Sequence, residues 1–443
     1  MRVGLYTLGC KVSQYETEAV AEAFEAAGAT LGDFGEVNDI YVINTCTVTA
    51  ESDRKCRQFI RRAIKKNPSA VVAVIGCYSQ RSPDEVAGIG GVDVVIGTQD
   101  KLSVVKLCIG ILEKKRQGEE YDKIISVSDV RSAEFETMRI TRAPRARAYV
   151  KIEDGCESRC TYCAISAARG RVRSKRPEDV IEEIEALSAT GIKEIVLTGI
   201  ETGSYGKDFD ESYTLADLIC ELDKRKSCHR LRLGSLAPEL IGADFVERVK
   251  GVKILAPHFH LSIQSGSDNV LRRMKRRYTG ARALENIERL REAFPTAAFT
   301  TDMMVGFPGE TEEDFLDTLD FARRVGFIDM HVFAYSRRKG TPAADYPDQV
   351  PEEIKRQRSE RLIAVAREIS DTVLSDIVSL KKPLSAVAET RHPDGSYTAH
   401  SDSFAEIRFS ADAHCMDLCG ELVSVLPVSH KDGVIYGKLI EVM

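Results

Sequence analysis

Residues 154–163 read Asp-Gly-Cys-Glu-Ser-Arg-Cys-Thr-Tyr-Cys, so Cys156, Cys160 and Cys163 stand at C-x3-C-x2-C spacing. The stretch has neither strand alternation nor a helical apolar face, and it reads as a loop. Three thiols on one short loop can converge on one metal centre without long-range folding. Thiolate is the soft ligand that suits iron–sulfur clusters and zinc. The next cysteine, Cys220, is far downstream, so no fourth ligand is at hand. Three ligands on a four-iron cluster leave one iron open for a small molecule, and an open position separates a reactive site from a structural one. Two plainer readings stand beside it. One is a zinc site, although structural zinc prefers four closed ligands. The other is three buried thiols with no metal role.

A second set of cysteines depends on the elements that carry it. Three apolar runs each end at a cysteine: Val3–Leu8 before Cys10, Ile40–Asn44 before Cys46 and Val71–Ile75 before Cys77. Helical patterns separate them near Glu16–Ala27 and Asp53–Lys66, and the intervals of 36 and 31 residues suit β-α-β units. Parallel strands then bring all three cysteines to the carboxyl edge of one sheet, where α/β folds place ligands. A fourth strand fits Val92–Ile96. Cys56 and Cys108 fall within helices and read as packing residues, with Cys56 in reserve as a ligand. Residues 1–115 form this first domain and 116–145 a connector.

From residue 146 to 376 the pattern repeats as strand then helix. Strands fit Ala148–Ile152, Glu194–Thr198, Arg230–Leu233, Phe259–Ile263, Thr300–Val305 and Met330–Ala334. Six such units predict an open, partial (βα)6 TIM-like barrel, with its active mouth at the strand C-termini. The Cys156 loop follows the first strand, and so is expected at that mouth. Residues 380–443 switch to about five short strands with turn signals, a small β-barrel of OB type. Cys415 and Cys419 lack a partner pair for zinc, and His392, His400, His414 and His430 read as surface or barrel residues. The fold class is therefore α/β with a terminal small β-barrel.

The Cys156 loop resembles the C-x3-C-x-aromatic-C signature of the radical S-adenosylmethionine (SAM) superfamily, with Tyr162 at the aromatic position. The resemblance implies that the open iron binds SAM and that an electron from the cluster splits it to a 5′-deoxyadenosyl radical. The first domain is similar to that of methylthiotransferases, through Thr7-Leu8-Gly9-Cys10-Lys11-Val12-Ser13-Gln14-Tyr15-Glu16, Asn44-Thr45-Cys46-Thr47-Val48-Thr49 and Ile75-Gly76-Cys77-Tyr78-Ser79-Gln80. These look like the branch that modifies threonylcarbamoyladenosine in tRNA. In that family the Cys10, Cys46 and Cys77 positions hold a second, auxiliary 4Fe–4S cluster. Within the barrel, His260–Ser267, Val305–Thr311 and Tyr335–Ala343 also look like methylthiotransferase sequence, and the terminal domain is similar to TRAM. Two departures are Ser13, where asparagine is usual, and Glu201, where histidine is usual. The resemblance makes Thr198, Gly199, Ser235, Ser262, Gln264 and Asp302, with Tyr162, candidate SAM contacts.

The 443 residues carry a net charge of −6, so any RNA affinity must come from local basic patches. One is the helix bearing Arg54, Lys55, Arg57, Arg61, Arg62, Lys65 and Lys66. Arg139, Arg142, Arg145 and Arg147 offer another in the connector. Arg169, Arg171, Arg173, Lys175 and Arg176 follow the cluster loop, and Arg272, Arg273, Lys275, Arg276 and Arg277 follow the fourth barrel strand. We take Arg57, Arg61, Arg62, Arg171, Arg173, Arg273 and Arg277 as RNA-contact candidates, against the plainer reading of solvated surface charge. No run reaches the ~18 apolar residues of a membrane span, and twelve cysteines without a signal-peptide pattern point to a cytoplasmic metal or redox protein. The expected function is an enzyme: a radical SAM methylthiotransferase using two 4Fe–4S clusters and SAM on N6-threonylcarbamoyladenosine of tRNA. Its further partners would be an electron donor of the flavodoxin or ferredoxin class and a sulfur donor, and the chain is expected to act as a monomer. Alternatives are methylthiolation of isopentenyladenosine in tRNA or of a ribosomal-protein aspartate, or a non-enzymatic iron–sulfur RNA-binding protein. No acid–base pair stands out as catalytic.

Overall fold

The structure is a computed structural model that describes residues 1–210, 212–411 and 417–443. Cys415 and His414 lie outside the described residues. Two compact units emerge. The first combines residues 1–140, 153–175 and 336–344; the second combines 141–152, 176–335 and 345–443.

The first unit is built on a six-stranded parallel sheet in the order β2-β1-β3-β4-β5-β6. Its strands are β1 (Arg2–Thr7), β2 (Thr30–Gly32), β3 (Ile40–Thr45), β4 (Val71–Gly76), β5 (Val94–Ile96) and β6 (Ile124–Ser126). β3 and β4 are buried at every position, as continuous Val/Ile runs should be when helices cover both faces of a parallel sheet. Helices α1 (Lys11–Ala26) and α5 (Ser103–Gln117) pack on one face with Val3, Val42 and Ala73. Helix α2 (Ala50–Lys66) packs on the other through Cys56, Ile60 and Ala63. Two short helices, α3 (Cys77–Arg81) and α4 (Pro83–Ala87), follow β4. β2 and β6 were not expected; β5, also three residues long, was, because it closes the largely apolar run Val92–Ile96. β6 falls inside the stretch read as connector, where Ile124 pairs with Val94 and extends the sheet.

After β7 (Arg147–Lys151), a strand of the second unit, the chain contributes a hairpin to the first unit. The hairpin pairs β8 (Glu153–Asp154) with β9 (Arg173–Ser174), and between them run the Cys156 loop and helix α6 (Ile165–Arg169). The cluster loop thus groups with the first sheet, although the sequence places it inside the barrel segment.

In the second unit, β7, β10 (Glu194–Thr198) and β11 (Arg230–Leu233) form one parallel sheet. β12 (His258–Gln264), β13 (Ala298–Val305) and β14 (Asp329–Ala334) form another. Parallel bridges Leu231↔Leu255 and Leu236↔Leu261 join the two, completing the expected open array of six parallel strands. One of its helices runs over Glu312–Val325. Thr311 explains that start: its hydroxyl accepts from Asp314 N while the Asp314 carboxylate accepts from Thr311 N, a capping box. The last five strands, β15 (Leu384–Arg391), β16 (Ser396–Ser401), β17 (Glu406–Ser410), β18 (Leu422–Lys431) and β19 (Val434–Val442), close into a small barrel in the order β15-β16-β17-β19-β18. Buried Glu194 ties it to the open array. Its carboxylate takes Arg232 Nε at 2.8 Å, Arg230 Nη1 at 3.3 Å and Arg147 Nε at 3.4 Å. Arg232 also donates to the Ser401 and Asp402 carbonyls.

Candidate metal centre

Cys10 caps the start of α1, Cys46 directly follows β3, and Cys77 opens α3 directly after β4. The register Thr7↔Asn44 and Thr45↔Gly76 brings the ends of these neighbouring strands level. The thiols consequently feel one another. Burial pushes Cys46 up to about 11, with the Cys77 and Cys10 thiols adding to the rise. Burial likewise raises Cys77, against the opposing pull of Arg169. Gly76 has to be glycine: φ is +97°, and a Cβ would come within 2.4 Å of Asn44 Oδ1. Asn44 in turn donates Nδ2 to Ser13 O at 3.0 Å, fixing the Cys10 turn against β3. Ser13 itself is buried and places its hydroxyl 3.9 Å from Cys10 Sγ. Cys56 is fully buried on α2, with its thiol on the Cys46 carbonyl, a packing role.

The Cys156 loop is pinched shut by its hairpin. Cys156 N donates to Gly170 O at 3.0 Å, and a Cβ at Gly155 (φ +90°) would collide with Arg171 O at 1.8 Å. Within the loop Cys163 N reaches Cys160 O at 3.1 Å, and Ala343 N donates to Thr161 O at 2.9 Å. Burial pushes Cys163 up to about 12, with Cys160 and Cys156 adding to it. Both triads carry N–H donors on sulfur: Val48 N on Cys46 at 3.5 Å, Arg169 Nε on Cys77 at 3.3 Å and Ile165 N on Cys163 at 3.4 Å. Buried thiols that already receive such donors become thiolates once a cationic cluster offsets the burial cost. Among the described residues no three His, Cys, Asp or Glu groups are drawn tightly enough for a single ion. A four-iron cluster is wider than one ion, and three thiolates per triad with no fourth suit it. A cavity of about 670 Å³ opens beside the loop, lined by Cys156, Arg159, Arg171, Arg131 and Gln80.

Behind the loop lies a charge network that sequence reasoning missed. Arg169 is buried and binds Glu16 (Nη1–Oε1 2.6 Å) and Asp154 (Nη1–Oδ2 3.1 Å). Lys101 also reaches Glu16 at 3.2 Å, and Arg173 reaches Asp154 at 3.5 Å. Lys175 is buried and donates to Met138 O at 3.0 Å. The reading of Arg169, Arg173 and Lys175 as part of a basic patch for RNA is therefore corrected: all three are buried inside the unit.

In the second unit the proposed SAM contacts lie in or just after the carboxyl halves of the strands. Thr198 ends β10 and is buried, with Gly199 half-buried beyond it. Ser235 follows β11 and is half-buried. Ser262 donates its hydroxyl to Leu236 O at 3.3 Å, and Arg276 Nη2 donates to Ser262 O at 2.6 Å. Gln264, at the bulged end of β12, is buried with φ +68°, a strained value for a non-glycine residue of the kind that clusters at functional sites. Asp302 lies within β13, ahead of its end. Burial alone would raise it, but hydrogen bonds from His260 (3.3 Å) and His331 (3.1 Å) hold it well below the carboxylate range. Glu201 is buried and accepts Ala237 N at 2.9 Å; burial pushes it up to about 7 against that bond and Arg276. Tyr162, in the first unit, is half-buried.

Residues 150–322 match the Radical SAM superfamily, and residues 2–97 match Uncharacterized protein family UPF0004. A threonylcarbamoyladenosine tRNA methylthiotransferase of Bacillus subtilis (strain 168) is 41% identical over 430 residues, covering 96% of this chain and 93% of that one. The chain belongs to the radical SAM methylthiotransferase family. A second relative of the same description, from Thermotoga maritima, is 39% identical over 83% of this chain and 82% of its own. A tRNA-2-methylthio-N(6)-dimethylallyladenosine synthase of Acetivibrio thermocellus is 33% identical over 95% and 87%. Among solved structures, the radical SAM methyltransferase TsrM of Kitasatospora setae, with cobalamin and a [4Fe-4S] cluster bound, aligns at TM-score 0.57 with 16% identity over 77% of each chain. That likeness supports the fold. This methylthiotransferase is accordingly a radical SAM enzyme, whose family chemistry requires a 4Fe–4S cluster and SAM.

The basic candidates of the methylthiotransferase divide by their neighbours. On α2, Arg54 pairs with Glu51 at 2.6 Å, and Arg57 with Glu85 and the Tyr78 hydroxyl, each at 2.9 Å. Arg61, Arg62, Lys65 and Lys66 are exposed and carry no carboxylate partner among the described residues. Arg171 and Arg277 are exposed; Arg273 donates Nε to Pro308 O at 2.9 Å and lies over the Tyr346 ring. Arg173 is buried and donates to Arg169 O at 2.7 Å, which removes it as an RNA contact.

Proposed function

We propose that this methylthiotransferase acts on tRNA, replacing the C2 hydrogen of N6-threonylcarbamoyladenosine beside the anticodon by a methylthio group. The observation that carries the proposal is the Cys10/Cys46/Cys77 edge, a second three-thiol set beyond the one that radical SAM chemistry needs. Two relatives described as acting on threonylcarbamoyladenosine, at 41% and 39% identity, favour this nucleoside over the dimethylallyl one, whose relatives reach 36%. Cys156, Cys160 and Cys163 would hold one 4Fe–4S cluster, which supplies the electron that cleaves SAM when bound. Cys10, Cys46 and Cys77 would hold the second.

The chain's own residues bind and orient. Thr198, Gly199, Ser235, Ser262 and Gln264 offer hydroxyl, amide and backbone groups to SAM, and Tyr162 offers its ring. Arg61, Arg62, Lys65 and Lys66 offer unpaired charge to tRNA phosphates. A tRNA substrate also puts the enzyme in the cytoplasm, where no membrane span is called for; no described helix is long and apolar enough to cross one. The reaction also requires an electron donor and a sulfur donor.

Mass spectrometry of tRNA nucleosides from a strain lacking the protein tests the assignment. The 2-methylthio form should vanish while N6-threonylcarbamoyladenosine accumulates. Loss of the 2-methylthio isopentenyl nucleoside instead would move the enzyme to the other tRNA branch. Unchanged nucleosides would point to the ribosomal-protein aspartate and sink the tRNA assignment.

A further inference from the structure

Arg169 heads the largest fully buried side chains of the described residues. Its guanidinium fork is shared three ways. Nη1 and Nη2 serve Glu16 at 2.6 and 3.2 Å, Nη1 also serves Asp154 at 3.1 Å, and Nε–H points at Cys77 Sγ at 3.3 Å. The two carboxylates are otherwise provided for: Lys101 reaches Glu16 and Arg173 reaches Asp154. An arginine kept only to neutralise them would have no reason to turn its third edge to sulfur. The same side chain reaches Asp154, two residues before Cys156, and belongs to the helix that follows Cys163. It is thus a rigid cationic strut that starts from one cysteine loop and ends on a cysteine of the other set.

An N–H donor on a cluster sulfur favours the reduced, more negative cluster and raises its potential. A buried guanidinium does so with a full charge in a site that water cannot screen. We propose that Arg169 is a positioning residue that sets the reduction potential of the cluster held by Cys10, Cys46 and Cys77, through its Nε–H···Sγ bond to Cys77. This rests on the proposed second cluster. The bond orients the Cys77 thiolate and raises the potential of that cluster, while the carboxylate pair keeps the guanidinium from swinging away.

The test is a redox titration followed by electron paramagnetic resonance on full-length C156A/C160A/C163A protein, which keeps only the second cluster. R169K retains the charge and lacks the Nε–H aimed at sulfur. R169Q/D154N removes one cation with one carboxylate and keeps the network balanced if R169K folds poorly. Both should keep their iron and shift the oxidised-to-reduced equilibrium at least tenfold toward oxidised, a 59 mV fall for one electron. Iron retained with less than a twofold shift in both variants would overturn the role of Arg169 alone. A C156A/C160A/C163A protein that binds no iron would overturn the second cluster and, with it, this role.

Discussion

Replacing Arg61, Arg62 and Lys65 by glutamine should weaken tRNA binding in a way that salt makes measurable. Glutamine keeps helix propensity close to that of arginine and lysine, so α2 should stay folded and only charge is lost. The exposed stripe of α2 runs through positions 54, 55, 58, 61, 62, 65 and 66, opposite buried Cys56, Ile60 and Ala63. The three target residues have no carboxylate partner among the described residues, so each is available to a phosphate. Each phosphate contact contributes ~0.7–0.9 to the slope of log affinity against log salt. Losing three lowers that slope by about 2–3, and near 0.1 M salt this costs roughly two orders of magnitude in affinity. Arg54→Gln is the internal comparison, since Arg54 already pairs with Glu51 at 2.6 Å; its slope should fall by less than ~1. The assay is equilibrium binding of unmodified tRNA at several potassium chloride concentrations. A triple variant with an unchanged slope, or one matched by Arg54→Gln alone, would refute the assignment of this face to RNA.

Other outcomes follow from single sites. Cys160→Ala should abolish SAM cleavage, whereas Cys46→Ala should keep 5′-deoxyadenosine formation and lose methylthiolation; chromatography of both products checks this. Glu194→Gln removes the carboxylate that Arg147, Arg230 and Arg232 share and leaves buried Arg230 and Arg232 without a carboxylate partner among the described residues, at a cost of about 3–5 kcal/mol in denaturant unfolding. In the wild type, burial opposes and the three arginines outweigh it, holding Glu194 at about 2. Its stabilisation should be present above the ordinary carboxylate range near 4.5 and be lost as pH falls through about 2. Glu201 has the opposite sign: burial raises it to about 7, so its contribution is complete below 4.5 and is lost as pH rises through 7. That is on the order of 3 kcal/mol, and Glu201→Gln, which can still accept Ala237 N, should gain this much at pH 8 and little at pH 5; equal gains at both would contradict a buried acid.

How much of this was legible in the sequence depended on the kind of signal. The strand-end cysteines were readable because β-α-β spacing and continuous Val/Ile runs fix a parallel edge before any contact is known. The same held for the six barrel strands. The three-residue strands β2 and β6 were not, since neither closes a largely apolar run like the Val92–Ile96 stretch that marked β5. The basic cluster after Cys163 was misjudged for a physical reason. Composition shows that Arg169, Arg173 and Lys175 are cationic, but only the fold shows Glu16 and Asp154 pairing with Arg169, and Asp154 with Arg173. Glu16 sits on the first helix, 153 residues from Arg169, and no local pattern could have joined them. Gln264 is a similar case, because its strained φ is imposed by the bulged end of β12 and leaves no trace in composition.

Iron and sulfide content, measured on anaerobically reconstituted protein alongside SAM cleavage, addresses the two-cluster assignment most directly. The wild type should hold about eight irons, four per cluster. The C10A/C46A/C77A variant should hold about four and still form 5′-deoxyadenosine, while C156A/C160A/C163A should hold about four and form none. A C10A/C46A/C77A variant that keeps the full wild-type iron content would contradict it.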